Sequence, residues 1–278
     1  MNKELFILIS TIDERIVQVR NIIQKYDNNI HYIISHQVSK KNNLDVEKYC
    51  EELSMRDNII YSCLEGKGVA KNRNNTLRFI KKNAICLILD DDVQLCKDIF
   101  PRIIQSFEKN PKADFISFKI LDLEGHDYKP YPKEKQWHTS RTLTGIGTTE
   151  IAFRSDLILD HDIKFDERFG PGADKYPLGE DYIFAMDLYH LKKKMLFLPI
   201  AIVKHPRGST GYNLDRKIIF ARGAMFARVF GWKAFIIDFL FSIKKYTVYH
   251  KKITFFSYLS LLNKGTVDYF TSTTKKAS

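Results

Sequence analysis

Short, continuous apolar runs alternate with longer amphipathic stretches through the first 120 residues of the chain. The runs predict strands over residues 5–10, 30–35, 58–63, 84–89 and 113–118, and helical spacing of apolar positions predicts helices over 14–26, 45–55, 69–82 and 99–108. Strands that alternate with helices predict a mostly parallel, Rossmann-like central sheet covered by helices on both faces, an α/β fold. The second half is less regular. Residues 123–139 are polar and rich in Pro, Tyr and Lys, as a surface loop or flap would be, and 169–179 carry Gly-Pro-Gly and Tyr-Pro punctuation. A strand is expected over 151–154, a helix over 181–192, and a last strand, broken by Pro199, over 195–204. The pattern divides the chain into a domain over 1–214, with halves at 1–120 and 121–214, and a helical, amphipathic extension over 215–278.

Composition sharpens the tail. The 278 residues, 44% apolar and 13% aromatic, suffice for a full core. Net charge is +11, but residues 215–278 hold twelve Lys/Arg against three Asp/Glu, leaving only +2 for residues 1–214. The same tail has fourteen Phe, Tyr and Trp residues, and its longest uncharged run, 253–263, is far short of the ~20 residues of a spanning helix. Helices lying on an anionic membrane surface fit this mixture, as does a helical subdomain packed on the core with solvated lysines. Cys50, Cys63, Cys86 and Cys96 show no CxxC spacing, so neither a zinc site nor a disulfide framework is expected, and a reducing cytoplasm fits. The apolar run 5–9 is too short for a signal-peptide core and reads as the first strand.

Candidate chemistry begins with Asp90-Asp91-Asp92, directly after the apolar run 85–89. Clustered carboxylates at a strand end repel one another unless a cation intervenes, and hard divalent ions favour such oxygen ligands. The C-terminal edge of an open α/β sheet is also where ligands bind, so the triplet predicts a metal-bridged anion, most simply a nucleoside diphosphate. Capping of the following helix is the competing account. Gly66-Lys67-Gly68, ahead of Arg73-Asn74 in the next helix, has neither the P-loop nor the GxGxxG spacing. Glu180-Asp181 opens a helix after a Gly/Pro-rich loop, where it either favours the helix dipole or holds a general base. His205 ends the last strand, where an imidazole can complete a metal shell begun by Asp92.

In order, Ser10-Thr11-Ile12-Asp13-Glu14-Arg15, Gly68-x4-Arg73-Asn74, Leu89-Asp90-Asp91-Asp92, Gly179-Glu180-Asp181 and a strand ending at His205 resemble the family 2 glycosyltransferases of the GT-A fold, over roughly residues 3–210. The resemblance implies that the triplet is a DxD motif, with Asp90 and Asp91 at the donor nucleotide, Asp90 nearest the ribose, and Asp92 with His205 on a divalent ion, Mn2+ or Mg2+. It implies Glu180-Asp181 as the ED motif, Asp181 being the general base, and places Thr11, Glu14 and Arg73 around the nucleotide. Gly147 and Thr148 match the region of acceptor and sugar contacts, with Trp137 and His138 in the loop before it. Two departures stand out: Ser35-His36-Gln37 replaces the aspartate with which many members read uracil, and the Gln-x-x-Arg-Trp of processive synthases is absent, which favours single additions.

These readings together predict inverting, metal-dependent transfer of a sugar from a nucleotide sugar, a UDP-sugar by resemblance, to a glycan or lipid-linked acceptor in surface-polysaccharide synthesis, on the cytoplasmic face of the membrane. A sugar-phosphate nucleotidyltransferase would instead present a glycine- and basic-rich segment after the first strand, where this chain has Thr11-Ile12-Asp13-Glu14. A non-enzymatic membrane- or nucleic-acid-binding protein would account for the charge but not for the carboxylate clusters, which repel phosphates without a metal, so no nucleic acid is expected.

Overall fold

A computed structural model describes residues 4–23, 29–40, 43–208 and 214–274. Its central sheet runs β3 (Ile59–Glu65), β2 (Ile30–Val38), β1 (Leu5–Ile12), β4 (Ile85–Asp90), β8 (Ile151–Arg154), β6 (Phe115–Leu121), β9 (Met195–Lys204) and β5 (Gln94–Leu95), and the short β7 (Gln136–Trp137) pairs with β9. β1 to β4 are mutually parallel where they pair, as the alternation of runs predicts. Successive side chains of a strand face opposite sides. In β1, Leu5, Ile7 and Ile9 enter one buried layer while Phe6 and Leu8 enter the other. In β4, Ile85, Leu87 and Leu89 oppose Cys86 and Ile88 in the same way. Burial on both faces is the reason these strands read as unbroken apolar runs.

The order reverses at β1, which sits between β2 and β4. Register pairs Ser10 with both Ser35 and Asp90, so the acidic triplet emerges at the topological switch point, where such sheets leave a crevice. The sheet is less parallel than the sequence suggests: β8 inserts antiparallel between β4 and β6, and β5 and β7 are antiparallel to β9. Pro199 does not end β9. The strand bulges there, β9 advancing from Phe197 to Ala201 while its partner β6 advances from Ser117 to Lys119, and Pro199 is exposed.

Helices α1 (Leu44–Ser54), α2 (Val69–Leu77), α3 (Ile99–Lys109) and α5 (Glu180–His190) follow the predicted pattern, and a short α4 (Ser155–Leu159) is added after β8. The helix expected over 14–26 is instead a 3-10 helix over Asp13–Asn21, and positions 24–26 lie outside the described residues. Its buried residues Ile16 and Val19, with Ile22 just past its end, recur every third position and therefore stack along one edge of a three-residue turn. α2 stops at Leu77, short of the expected 82, where Arg78 and Phe79 close in i→i+3 bonds.

Past residue 214 the chain forms α6 (Arg216–Phe230), α7 (Ala234–Lys244), α8 (Tyr246–Tyr249) and α9 (Phe255–Thr274). Ala221, Ala224, Phe226 and Tyr269 belong to the same buried layer as Phe6 and Phe184, so α6 and α9 share the core of the preceding residues. Arg228 on α6 pairs with Asp187 at 2.8 Å and Asp166 at 2.9 Å. The two helices pack backbone to backbone: a Cβ on Gly223 would lie 1.9 Å from the Leu262 carbonyl oxygen, and one on Gly265 would lie 1.8 Å from that of Phe220.

Candidate active site

The triplet is divided between two arginines. Arg73, buried on α2, donates from one terminal nitrogen to Glu180 Oε1 at 3.0 Å and Asp181 Oδ1 at 2.8 Å, and from the other to Asp90 Oδ1 at 3.0 Å. Burial disfavours its charge, but the three carboxylates more than offset that and raise its pKa. α2 is held rigidly for this purpose. Asn72 donates to the Thr11 carbonyl at 2.8 Å, Asn74 to the Phe165 carbonyl at 2.9 Å, and Asn75 to the Ser35 hydroxyl at 2.8 Å. Its start is pinned by Val69 N–H donating to the Pro171 carbonyl, where Gly68 and Gly172 approach so closely that a Cβ on Gly172 would lie 2.9 Å from Gly68 N. Backbone packing between two loops thus accounts for Gly68 and Gly172, whereas a Cβ on Gly170 would lie 2.8 Å from the Glu180 carboxyl.

Glu180 and Asp181 share Arg73 but not their surroundings. The Glu180 side chain is 7% exposed and that of Asp181 is 27% exposed. Burial, reinforced by the neighbouring Asp181 charge, pushes the Glu180 carboxyl well above its ordinary range despite Arg73. Gly179, at φ +104°, aims the pair inward, and α6 closes behind it, with Met225 Cγ 2.8 Å from where a Gly179 Cβ would sit.

The second arginine, Arg15, pairs with Asp91 Oδ1 and reaches Asp92 Oδ2 at 3.1 Å. Thr11 donates to Asp91 Oδ2 at 2.6 Å. Asp91 is buried, and burial pushes its carboxyl up to about 6 although Thr11 and Arg15 favour the ionised form. Asp92 Oδ1 lies 3.3 Å from His205 Nε2, and it is a buried oxygen with no hydrogen-bond donor. The imidazole holds Asp92 below the usual carboxylate range, and Asp92 raises His205 in turn. His205 Nδ1 is 2.7 Å from the Pro206 carbonyl oxygen. A carbonyl only accepts, so Nδ1 keeps its proton in either state; the charged ring pairs with Asp92 through Nε2, and once the Nε2 proton leaves, its lone pair lies beside Asp92 Oδ1. In that deprotonated state the carboxylate oxygen and the imidazole nitrogen form a donor set that fits a divalent ion keeping further sites for phosphate and water.

The other sequence candidates fall elsewhere. Glu14 is exposed and pairs with Lys40 at 3.4 Å, beside a cleft of about 720 Å3 lined by Val38, Ser39, Lys40, Glu65, Gly66 and Lys67. His36 and Gln37 are buried, and His36 bridges the Tyr61 hydroxyl and the Asp13 carbonyl, each at 2.8 Å. Gly147 and Thr148 make no hydrogen bond to the carboxylate cluster among the described residues. They form a 3-10 turn that delivers Glu150, a buried carboxylate held by Gly147 N–H at 2.9 Å, Lys129 at 2.6 Å and the Tyr131 hydroxyl at 3.1 Å. Trp137 is half exposed, whereas His138 turns inward to the Ser117 hydroxyl at 2.7 Å.

Arg15, Lys129 and Tyr131 carry no role readable from the sequence; the one available signal is a lone arginine just past a strand that must adjoin the triplet. Asp122, Glu124 and His126, whose ligating atoms lie within 4.8 Å of one another, are likewise unmarked in the sequence. Asp122, however, is engaged by Arg207 at 2.8 Å and by the Glu124 and His126 amides.

The glycosyl transferase family 2 model matches residues 9–159. Among solved structures, S. aureus TarS 1-349 superposes with a TM-score of 0.59 at 14% identity, over 90% of this chain and 73% of that one. A longer S. aureus TarS structure gives 0.61 at 18% identity over 94% of this chain, which spans 55% of its length. TarS 1-349 in complex with UDP-GlcNAc gives 0.59 at 15% identity, over 90% and 74% of the two chains. At such identities the likeness shows a shared GT-A fold. No curated protein matches the sequence. With the family model spanning more than half of its length, this chain belongs to glycosyl transferase family 2 and is a glycosyltransferase.

Proposed function

We propose that the chain transfers a sugar from a nucleotide sugar to an acceptor hydroxyl with inversion at the anomeric carbon, assisted by a divalent ion. The observation that carries this reading is the single buried guanidinium of Arg73, which gathers Asp90, from the donor end of the sheet, together with Glu180 and Asp181, from the loop facing it. Asp181, the more exposed of the pair, takes the acceptor hydroxyl proton as its oxygen attacks the anomeric carbon from the side opposite the diphosphate. The bond from that carbon to the phosphate oxygen breaks, and the nucleoside diphosphate leaves with the electron pair. Glu180 stays buried and orients Arg73, which in turn fixes Asp181 and Asp90.

Asp92 and His205 hold the ion, for the reasons of geometry given above. When bound there, Mn2+ or Mg2+ supplies Lewis-acid neutralisation of the departing diphosphate. Asp90 meets the ribose, and Thr11, Asp91 and Arg15 shape the floor between nucleotide and ion. Glu14 and the cleft beside it receive the base. UDP is the preferred nucleotide, a choice supported by solved complexes of the similarly folded TarS with UDP-GlcNAc and UDP. The acceptor is a glycan or a lipid-linked glycan on the cytoplasmic side of the membrane, with Gly147 and Thr148 on its approach.

Calorimetry with UDP, GDP and CMP, each with and without Mn2+, tests the donor site. Manganese-dependent binding of UDP is expected, and EDTA should remove it. Asp92→Ala should abolish the metal-dependent part while leaving the melting temperature of the free protein within a few degrees; equal binding by all three nucleotides with no response to metal would refute the assignment.

A further inference from the structure

Helix α7 is amphipathic in the unusual sense that its apolar side faces outward. Ile236, Phe239, Leu240 and Ile243 are between 47% and 64% exposed, and Trp232, just ahead of the helix, is 75% exposed. Their spacing places the four helix residues on one stripe of its surface, with Trp232 in the turn at its head. The inward side is carried by Ala234, Asp238 and Ser242, all buried. Phe239 meets the ring of Phe255 edge-on at 6.0 Å, and Phe255 meets Phe256, itself 80% exposed, so the stripe continues onto the start of α9. A continuous exposed surface of this kind calls for an occupant.

The charges around it identify that occupant. Between Gly231 and Val267 the chain has six lysines and one acidic residue. The acidic residue, Asp238, is turned into the helix packing and accepts from the Thr266 hydroxyl at 2.7 Å. Lys233 stands at one end of α7, Lys244 and Lys245 at the other, and Lys251 and Lys252 in the turn beyond. All but the half-buried Lys245 are exposed. No helix among the described residues is long and apolar enough to cross a membrane. A short apolar stripe with Trp and Phe along it and lysines at both ends has the composition of a helix lying in a lipid–water interface, its lysines at anionic headgroups.

From this face we infer that Trp232, the outer stripe of α7 and Phe256 insert into the surface of an anionic bilayer, held there by the flanking lysines. α6 and α9 do not take part as whole helices; they mount α7 on the catalytic domain. A second copy laid on the same face by a two-fold axis would bring like lysines together, which disfavours a symmetric dimer as its partner. The inference rests on the tail alone and does not depend on the chemistry proposed for the carboxylate cluster.

The test is cosedimentation of the full chain with vesicles of pure phosphatidylcholine and of phosphatidylcholine with an equal part of phosphatidylglycerol. Binding is expected to the anionic vesicles and to be at least tenfold weaker to the neutral ones. Ile236→Ser/Leu240→Ser, and separately Lys244→Gln/Lys245→Gln, should each lower anionic-vesicle binding about tenfold or more, with donor hydrolysis unchanged. A Trp137→Phe chain keeps Trp232 as its sole indole, since the sequence has two, and its emission should shift to the blue on anionic vesicles. This readout needs no change to the face itself. Absence of both binding and spectral shift would overturn the inference, as would a concentration-dependent dimer that the Ile236→Ser/Leu240→Ser chain no longer forms.

Discussion

One side chain, Arg73, pairs with three carboxylates, two of which lie more than a hundred positions further along the chain. Removing one partner of a buried ion pair leaves uncompensated charge, so Arg73→Met should lower unfolding free energy by about 3–5 kcal/mol in urea titrations. Asp181→Asn keeps the shape of the loop but removes the proton acceptor. Turnover should fall by roughly 10²–10⁴-fold with nucleotide affinity nearly unchanged, which steady-state kinetics and calorimetry would separate. His138 offers a pH signature away from the carboxylates proposed to hold the ion. Burial against Phe115 and Phe197, with Lys129 nearby, lowers it to about 4 from its ordinary value near 6.5. The unfolded chain therefore takes up the proton first as pH falls, and the contribution of the neutral ring, full above about pH 6.5, is lost progressively toward pH 4. The stability gap between the wild type and His138→Gln should narrow over that window, as urea unfolding at a series of pH values would show.

At the scale of elements, the decisive contact is between α6 and α9. The backbones cross where Gly223 and Gly265 leave no room for a side chain, and Thr266 donates across the same junction to the Gly223 carbonyl at 3.0 Å. Gly223→Ala forces the helices apart. A loss of about 1–3 kcal/mol or more is expected from overpacking, visible as a lower thermal midpoint. Because Met225 on α6 backs Gly179, the same substitution should also loosen the Glu180-Asp181 loop and reduce turnover more than nucleotide binding. The 3-10 helix after β1 and the bulge at Pro199 show local patterning yielding to packing. Ile16, Val19 and Ile22 align only if the turn tightens, and the β9 ladder accommodates its proline by passing over it.

For the whole molecule, the alternation of strands and helices was readable because burial on both faces is written locally, residue by residue, in β1, β2 and β4. The antiparallel insertion of β8 was not readable: four residues, Ile-Ala-Phe-Arg, carry no mark of their neighbours or their direction. The tail reads from sequence as a basic aromatic extension, yet α6 and α9 complete the core while α7, continued by Phe256 at the start of α9, turns its apolar side out. Composition is the same in either arrangement, so counting residues could not separate them.

By itself the sequence determined that a parallel half-sheet would end in Asp90-Asp91-Asp92, that Glu180-Asp181 would open a helix behind a glycine, and that His205 would close the last long strand. Those features depend on neighbours in the chain. Tertiary structure alone decided that Arg73 would bind Asp90 with Glu180 and Asp181 while Arg15 took Asp91 and Asp92, that Asp92 would keep an undonated oxygen toward His205, and that α7 would present its apolar stripe outward. Charge pairing and burial are settled by distance in space, and Arg73 reaches Asp181 across 108 positions of chain only once the sheet has brought their elements together.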